Sequence, residues 1–570
     1  MTMSELPPFL LFFVAAALAA VTRGLPRQLI LLATPVVTGL YLWLGINTGT
    51  DVAYSVMSYE LTIVRADKLS LLFGYLFCIA SFFAAIYALH VKDTKQHVAG
   101  LVYAGSALGA VFSGDLITLF IFWELLAISS VFLIWARGTE RALKAGVRYL
   151  VYQVLSGVLL LAGALVYYHD TGSLAFDHIG LEAGVAGWLI FIAFGIKSAF
   201  PFLHSWLTDG YPEATVTGTV MLSAFTTKVA VYSLARGFAG EEILIYIGVT
   251  MACFPIFYAV IENDLRRVLA YSLINQVGFM VTGIGIGTAL ALNGAVAHAF
   301  SDVIFKGLLF MSMGAVLYRT GNINGSDLGG LYKSMPKTTL LCIIGALSIS
   351  AFPLFSGFVS KSMVMTALMQ EDHGYFWLLM LFASAGVFHH AGIKIPYFAF
   401  FHHDSGIRTE EAPRNMLVAM SVAAALCIFI GTQPQYLYAL LPWEVEYWPY
   451  DLTHVLAQTQ LLFFSALAFV WLNKQGLYPP ELHSVNLDAE WFYRRLIPAG
   501  AQRTLLLLRA AKESTRTTVT AHMQGVKNEF DKSPMAKYHL AESWPTGSMV
   551  FWISAILAAF LLLDLFGLGR

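Results

Sequence analysis

Blocks of mostly apolar residues, each of the length that crosses a bilayer as a helix, follow one another along almost the whole chain. They predict sixteen membrane helices, centred near residues 15, 37, 80, 106, 126, 157, 195, 225, 252, 277, 304, 350, 387, 424, 463 and 557. Residues 480–545 are polar and include a helix-like stretch, which predicts a lateral segment along the cytoplasmic face. A cytosolic disordered linker is the alternative for these residues. The pattern therefore predicts an all-α polytopic membrane protein with a terminal anchoring span.

Composition agrees with this pattern and excludes several functions. Of the 570 residues, 58% are hydrophobic and only 12% are charged, roughly half the charged fraction of a soluble protein. The net charge of −1 gives no reason to expect a nucleic acid partner. The four cysteines lie in apolar blocks without metal-binding spacing, and no haem, iron–sulfur or flavin ligand pattern appears. We therefore predict no bound metal and no cofactor.

Basic residues in the loops predict the orientation. With the N-terminus outside, fourteen Lys and Arg residues fall in cytoplasmic loops, and only Arg65, Lys68 and Arg236 fall outside. This asymmetry satisfies the positive-inside rule. We expect an integral protein of the bacterial cytoplasmic membrane.

Two of the predicted helices carry breaks. Pro201 interrupts the seventh, and Pro353 and Gly357 interrupt the twelfth. Broken backbone survives at membrane depth only where protein or a wet cavity satisfies it, and breaks at corresponding places in two halves indicate an inverted repeat. With five helices per unit, the fourth to eighth and the ninth to thirteenth helices are the two copies.

The resulting division has six parts. Helices one to three occupy residues 1–95, and helices fourteen and fifteen occupy residues 413–475. Between them lie the two repeats, 96–238 and 243–405, and after them the lateral segment 480–545 and the terminal helix 546–570.

Seven ionisable residues interrupt the apolar blocks. Each costs about 2.5 to 3.5 kcal/mol at the centre of an isolated span, so a set of them indicates function. They are Glu124 in helix five, Lys197 in helix seven, Lys228 in helix eight, His298, Asp302 and Lys306 in helix eleven, and Lys361 in helix twelve.

Their spacing suggests a proton relay. His298, Asp302 and Lys306 recur every four residues, so they stack on one face of a helix. A buried lysine resists protonation unless a carboxylate stands within about 4 to 6 Å. A Glu124–Lys197 pair that opens and closes would therefore switch Lys197 between holding and releasing a proton. The alternative is a set of static ion pairs that fix helix packing.

Helix thirteen offers three further candidates. His389, His390 and Lys394 could end the polar path, or they could be interfacial packing residues. The neighbouring His402 and Asp404 belong to a turn that we predict to be solvated rather than metal-binding.

Five strings in the chain resemble the proton-pumping antiporter family, which comprises the A-type and D-type subunits of Mrp cation/proton antiporters and the L, M and N subunits of respiratory complex I. The strings are "FWELL" (122–126), "GIKSAFPFLHSWLTDGYPEA" (195–214), "DLRRVLAYSLINQVGFM" (264–280), "HAFSDVIFKGLLF" (298–310) and "FPLFSGFVSKSM" (352–363). The similarity covers roughly residues 60–405. It implies about fourteen core helices, two inverted five-helix repeats and broken helices seven and twelve.

The resemblance also implies roles. Glu124 matches the family's helix-five glutamate, and Lys197 matches its helix-seven lysine partner. Lys228 matches the bridging lysine of helix eight. Lys306 matches the central lysine of helix eleven, and Lys361 matches the helix-twelve lysine of the terminal exit.

One position departs from the family pattern. His298 matches the first of two family histidines, but the second is replaced by Asp302, one helical turn from Lys306. We expect Asp302 to hold Lys306 charged and to alter coupling or cation preference.

The function implied is that of a proton-translocating subunit, not an enzyme, in an Mrp-type antiporter complex, with a D-like assignment. Its partners would be other membrane subunits, protons and Na⁺. A proton-pumping subunit of complex I or of an energy-converting hydrogenase, and one of an inorganic-carbon uptake complex, are the alternatives.

Overall fold

A computed structural model describes residues 6–56, 59–444, 446–484, 486–532 and 546–565. These residues are mainly helical, and the two strands found among them, β1 (Thr50–Val56) and β2 (Tyr59–Ala66), form one antiparallel hairpin. The helices are α1 (Pro8–Val21), α2 (Leu25–Gly45), α3 (Lys68–Tyr87), α4 (Thr94–Phe112), α5 (Leu116–Trp135), α6 (Glu140–Thr171), α7 (Gly184–Ser198), α8 (Ser205–Gly210), α9 (Val216–Ala224), α10 (Thr226–Gly237), α11 (Ile243–Ile261), α12 (Leu265–Ile286), α13 (Ala289–Thr320), α14 (Pro336–Ile349), α15 (Ser356–Gln370), α16 (Gly374–Phe401), α17 (Arg414–Thr432), α18 (Pro434–Tyr438), α19 (Leu452–Lys474), α20 (Ile497–Lys532) and α21 (Thr546–Leu565).

The predicted all-α membrane fold is confirmed. Eleven of the described helices are at least 18 residues long and apolar enough to cross a bilayer. The seventh predicted helix is α7 with α8, the eighth is α9 with α10, and the twelfth is α14 with α15. Two features were not predicted, namely the interruption of the eighth helix and the β1–β2 hairpin.

Helices α12 and α13 form the centre of the bundle. Both are buried along nearly their whole length, whereas α2, α6 and α19 expose many Leu, Val and Phe side chains. Exposed apolar side chains on outer helices are what contact with lipid requires. Polar residues on α12 and α13 are therefore shielded from lipid by protein, and the chain is an integral membrane protein.

The two predicted breaks have the same local structure. The first falls in "SAFPF" (198–202) and the second in "SAFPL" (350–354). In both, the alanine and the residue after proline adopt positive φ: Ala199 at 63° and Phe202 at 66°, Ala351 at 58° and Leu354 at 75°. Such a conformation is costly for residues with a side chain and persists only where the surroundings enforce it.

Regular spacing of helix starts relates the two halves of the bundle. Helices α4, α5 and α6 begin at residues 94, 116 and 140, and α11, α12 and α13 begin at 243, 265 and 289, each 149 residues later. The two SAFP breaks are 152 residues apart. We infer from this spacing, and from the shared break, that the two predicted repeats are copies of one unit.

The unpredicted break in the eighth helix lies at Phe225, three residues before Lys228. The interruption leaves backbone groups without helical partners. The Thr226 N–H donates to the Tyr103 hydroxyl at 3.1 Å, and the Ser223 carbonyl accepts from the Lys228 ammonium at 3.2 Å. One of the backbone groups that the break leaves free, the Ser223 carbonyl, is therefore hydrogen-bonded by Lys228 itself.

The basic face is the end of the bundle where the loops after α5, α11 and α13 lie. At this end Arg266, although buried, donates to the carbonyls of Pro212 at 3.0 Å and Ala214 at 3.1 Å. Through these hydrogen bonds Arg266 stabilises the turn that follows α8. At the opposite face Arg65 pairs with Asp177 at 2.8 Å, which ties the hairpin to the loop after α6.

The C-terminal unit, 490–570, is described separately from 1–489. Within it, α20 is a helix of 36 residues with exposed side chains, where the sequence predicts a lateral helix, and α21 is the predicted terminal helix. Residues 533–545 of the predicted lateral segment and residues 566–570 of the predicted terminal helix lie outside the described residues.

Candidate functional site

A fully buried ion pair joins the two halves of the bundle. The Lys228 ammonium on α10 lies 2.5 Å from an Asp302 carboxylate oxygen on α13, and neither side chain is exposed. A buried charge pair is maintained only with close geometry and further hydrogen bonds. Lys228 also donates to the Ser223 carbonyl. This pair is the closest contact among the seven predicted relay residues.

Asp302 makes its direct ion pair with Lys228, and the expectation that it holds Lys306 charged from one helical turn away stays a prediction. The Lys306 ammonium donates to the Ser272 hydroxyl on α12 at 2.8 Å, and the Asp302 carboxylate is turned toward α10 instead. Residues four apart share a helix face, but each side chain can reach sideways to a different neighbour. Lys228 approaches Asp302 because the interruption at Phe225 starts a new helical segment beside α13.

His298 connects the centre of the bundle to the twelfth helix. Its ring nitrogens lie 3.0 Å from the Ser360 hydroxyl on α15 and 3.1 Å from the Gln276 side-chain oxygen on α12. Because the Gln276 oxygen can only accept, the imidazole donates from Nε2, and Nδ1 is left to face Ser360. The imidazole also lies 5.9 Å from the Phe279 ring, which the Lys361 ammonium contacts as well, so both residues lie against one aromatic side chain.

Lys361 lies beside the second break. Its ammonium donates to the Ile349 carbonyl at 3.2 Å and lies 4.7 Å above the Phe279 ring. The break at 350–355 leaves the Ile349 carbonyl free to accept this bond. The broken helix therefore positions Lys361 through the backbone and not through a carboxylate.

In the first half of the bundle, Glu124 and Lys197 do not form a direct ion pair. The Lys197 ammonium donates to the Trp123 carbonyl at 2.6 Å and lies 4.5 Å above the Trp123 indole. The Glu124 carboxylate reaches toward α6, where one of its oxygens occupies the space beside Gly157. The two side chains therefore reach different partners and are not in direct ionic contact in the structure.

Helix α6 carries a buried polar residue, Gln153, that was not predicted from the sequence. Gln153 is fully buried, and neither its amide nitrogen nor its amide oxygen has a hydrogen-bond partner among the described residues. Gln153 precedes Gly157 by four residues, so both lie on one face of α6. Gln153 therefore adds a buried polar group to the face of α6 that the Glu124 carboxylate reaches. A lone glutamine in an apolar block carries too little signal to be singled out from sequence.

The three additional candidates on α16, His389, His390 and Lys394, have different surroundings. Lys394 is buried and pairs with Glu481 at 2.9 Å, and it donates to the carbonyls of Val260 and Glu262. His389 packs against aromatic rings, and His390 is fully buried. Lys394 is thus anchored at the basic face, while His390 points into the bundle interior. Whether the three residues carry protons stays a prediction.

A second polar cluster at the basic face was not predicted. Asp488, in the segment after α19, accepts hydrogen bonds from Tyr271 at 2.6 Å and from His204 Nε2 at 3.1 Å. His204 follows the first break, and Tyr271 precedes Ser272, the partner of Lys306. We call residues 477–489 the arm. It lies against the basic face of both repeats through Glu481 and Asp488.

We expect the arm to be released by acid. Burial raises the pKa of Asp488, but hydrogen bonds from His204 and Tyr271 outweigh burial and hold this pKa below its usual range. The carboxylate therefore stabilises the arm fully above about pH 4, and this contribution is lost as the pH falls further. Pepsin digestion of the protein in detergent between pH 5 and pH 2 should show cleavage within 477–489 increasing below about pH 4.

The matched variants separate this effect from general acid unfolding. Asp488→Asn should be cleaved in the arm at pH 5 already, whereas Asp531→Asn, which changes an exposed carboxylate, should behave as wild type. Resistance of Asp488→Asn equal to that of wild type at pH 5 would refute the role of the carboxylate.

Of the seven predicted relay residues, Glu124 is half-buried and the other six are buried inside the bundle. The structure shows one direct contact among these seven, the Lys228–Asp302 pair. Whether they pass a proton from one to the next stays a prediction. The described residues contain no cluster of three or more His, Cys, Asp or Glu side chains suited to a metal.

A family model described as "NADH:quinone oxidoreductase/Mrp antiporter, TM" matches residues 113–388. The matched region contains all seven predicted relay residues. It ends before Lys394, α19 and the arm.

Individual proteins agree with this match. The D-type subunit of the Na(+)/H(+) antiporter of Alkalihalophilus pseudofirmus is 30% identical over 360 residues, which cover 58% of this chain and 72% of that protein. The "Hydrogenase-4 component B" of Escherichia coli is 27% identical over 425 residues, 66% of this chain and 63% of that protein. The chain thus spans less than two thirds of component B.

Among solved structures, a chain of the membrane-bound sulfane sulfur reductase, an archaeal respiratory membrane complex, matches with a TM-score of 0.72 at 23% identity. The alignment covers 98% of this chain and 100% of that one. At this identity the likeness shows the fold.

Proposed function

Because the chain belongs to the family of NADH:quinone oxidoreductase and Mrp antiporter membrane subunits, we propose that it is the proton-translocating subunit of a multisubunit monovalent cation/proton antiporter. Na⁺ is the cation that the D-type relative names. The partners are further membrane subunits, since the relatives are parts of larger assemblies. A bacterial cytoplasmic membrane is the proposed location.

The observation that carries the proposal is the buried Lys228–Asp302 pair between the two repeats. A charge pair in a fully buried position is often no more stable than an apolar contact of the same size, so stability alone does not explain it. The Ser223 carbonyl, which the helix break frees, accepts from the Lys228 ammonium at the same time. Lys228 therefore keeps one partner when its bond to Asp302 opens, and a relay that works by changing partners requires such a residue.

The proposed path uses the predicted relay residues. A proton reaches Lys228 from the cytoplasmic side and is passed along the His298, Asp302 and Lys306 stack. It leaves near Lys361. Glu124 and Lys197, whose side chains reach different partners in the structure, control the process by moving between paired and separated arrangements.

The deciding experiment measures proton movement in proteoliposomes that contain the whole native assembly. We expect Lys361→Ala and Lys197→Ala to lower Na⁺-driven proton transport at least tenfold while the complex still assembles. Lys144→Ala is the matched control, because Lys144 is exposed and pairs with Glu140 on the surface of α6. Wild-type transport in both buried variants would refute the proposal and favour a structural scaffold.

A redox-driven pump is the second candidate, favoured by the likeness of fold over 98% of the chain to a respiratory membrane complex. A redox-driven pump would move protons through the same ionisable residues inside the bundle. Mass spectrometry of the copurified chains distinguishes the candidates, because quinone-reducing or hydrogenase-like subunits would accompany a redox pump. A zinc-bearing soluble partner would instead indicate inorganic-carbon uptake.

A further inference from the structure

A small cavity connects Lys361 with α19, a helix that lies beyond the residues matched by the family model. The cavity measures about 20 Å³. Its polar lining consists of Lys361 and Ser362 on α15, Ser384 on α16, and His454 and Gln458 on α19. Lys361, which belongs to the proposed path, thus shares a cavity with His454, which so far has no role in that path.

The cavity has the size and the lining of a water site. A single water needs roughly 10 to 15 Å³ of such space and two to four polar partners. The Lys361 ammonium, which bonds to the Ile349 carbonyl, has further protons to donate. Hydroxyls of Ser362 and Ser384 can donate or accept. One water can therefore bridge Lys361 and His454.

His454 is held so that one ring nitrogen remains available. The ring stacks on Phe358 with centroids 4.6 Å apart and planes 16° apart. His454 Nδ1 lies 2.9 Å from the Pro449 carbonyl. A carbonyl only accepts, so Nδ1 carries the proton of this bond, and Nε2 is the nitrogen that can accept another.

The position of His454 links the buried cavity to the aqueous side. Lys361 is buried, whereas His454 is half-buried in the first turn of α19. Its backbone N–H is capped by Asp451 at 2.8 Å, and both Asp451 and the following Leu452 are exposed. This end of α19 lies at the face opposite the basic face. The imidazole therefore stands between Lys361 and the external water.

We propose that His454 is the residue through which protons leave the path. The Lys361 ammonium gives up a proton, and the water in the cavity passes it to His454 Nε2. The resulting imidazolium then releases a proton to the external water and returns to the neutral form, so one proton leaves for each proton lost by Lys361. The inference rests on the proposed function, because it assigns the last step of that path.

Three variants at this position distinguish proton transfer from packing. His454→Phe keeps an aromatic ring for stacking on Phe358 but has no nitrogen, and His454→Gln can donate to Pro449 but cannot gain a proton. His454→Glu loses the ring but can hold and release a proton. We expect the Phe and Gln variants to lower proton transport at least tenfold in proteoliposomes that contain the whole assembly. The Glu variant should retain at least three times the rate of the Phe variant.

A packing role predicts the reverse order, with the Phe variant more active than the Glu variant. That order, or a rate of at least half of wild type in either the Phe or the Gln variant, would overturn the proposal. Lys361→Ala is measured in parallel. If Lys361→Ala and Lys197→Ala both also transport at the wild-type rate, the proposed function itself fails. If Lys361→Ala is inactive while His454→Phe is fully active, only the assignment of the exit is wrong.

Discussion

Asp302→Asn should lower proton transport more than tenfold without preventing assembly. The substitution removes the carboxylate that lies 2.5 Å from the Lys228 ammonium. Leaving a buried charge without its partner costs about 3 to 5 kcal/mol, and the protein can avoid this cost by keeping Lys228 neutral. A lysine that stays neutral cannot pass on protons. The measurement is Na⁺-driven proton movement in proteoliposomes, with assembly checked by copurification.

Two controls accompany this prediction. Ser301→Ala changes the adjacent buried hydroxyl and should leave transport within about twofold of wild type, whereas Asp302→Glu should retain part of the rate. Asp302→His introduces the second histidine of the family pattern, and we expect it to be inactive because it cannot pair with Lys228. Wild-type transport in Asp302→Asn would mean that the pair is only a packing contact.

A double-mutant cycle can test whether Asp302 interacts more strongly with Lys228 or with Lys306. Thermal stability is compared for Asp302→Asn combined with Lys228→Met and combined with Lys306→Met. Residues in direct ionic contact show coupling energies of about 0.5 to 3 kcal/mol, and separated residues show little. We expect the larger coupling with Lys228. A larger coupling with Lys306 would favour the role expected from the sequence, in which Asp302 holds Lys306 charged.

The fold was predictable because membrane helices leave strong signals. Apolar blocks of bilayer length reveal the spans, and the prolines at 201 and 353 reveal two of the breaks. The interruption at Phe225 escaped prediction because no proline or glycine marks it. The free N–H of Thr226 donates to Tyr103, which is distant in sequence. The free carbonyl of Ser223 accepts from Lys228, which is buried in the same predicted helix.

The members of the candidate site were predictable, but their pairing was not. A charge in an apolar block is conspicuous, so Glu124 and Lys361 stand out in the sequence. Helical spacing places Asp302 and Lys306 on one face, but it gives no information about the helix that packs there. The partner of Asp302 depends on how α10 packs against α13, which is a tertiary property.

Residues near the ends of the path were hidden for a different reason. His454 and Asp488 lie at helix ends or in loops, where polar residues are common and carry no special signal. Only their three-dimensional neighbours distinguish them. His454 shares a cavity with Lys361, and Asp488 contacts His204 and Tyr271.

The second large effect is expected at Gly157 on α6, which has no charge of its own. A Cβ atom at this position would lie 1.5 Å from an oxygen of the Glu124 carboxylate. Gly157→Ala must therefore displace the carboxylate, since real Cβ atoms essentially never approach so closely. We expect proton transport to fall at least tenfold, close to the level of Glu124→Ala, with normal assembly. The assay is the same proteoliposome measurement.

A compensating substitution distinguishes this steric effect from a general disturbance of α6. Aspartate is one methylene shorter than glutamate, so Glu124→Asp should withdraw the carboxylate from the space that the alanine methyl group fills. The double variant Gly157→Ala with Glu124→Asp should transport at least three times faster than Gly157→Ala alone. Such a rescue would mean that the glycine serves to give the Glu124 carboxylate room beside Trp123 and Lys197. If the double variant is as slow as the single one, or if Gly157→Ala is fully active, the space beside Gly157 has no part in proton transport.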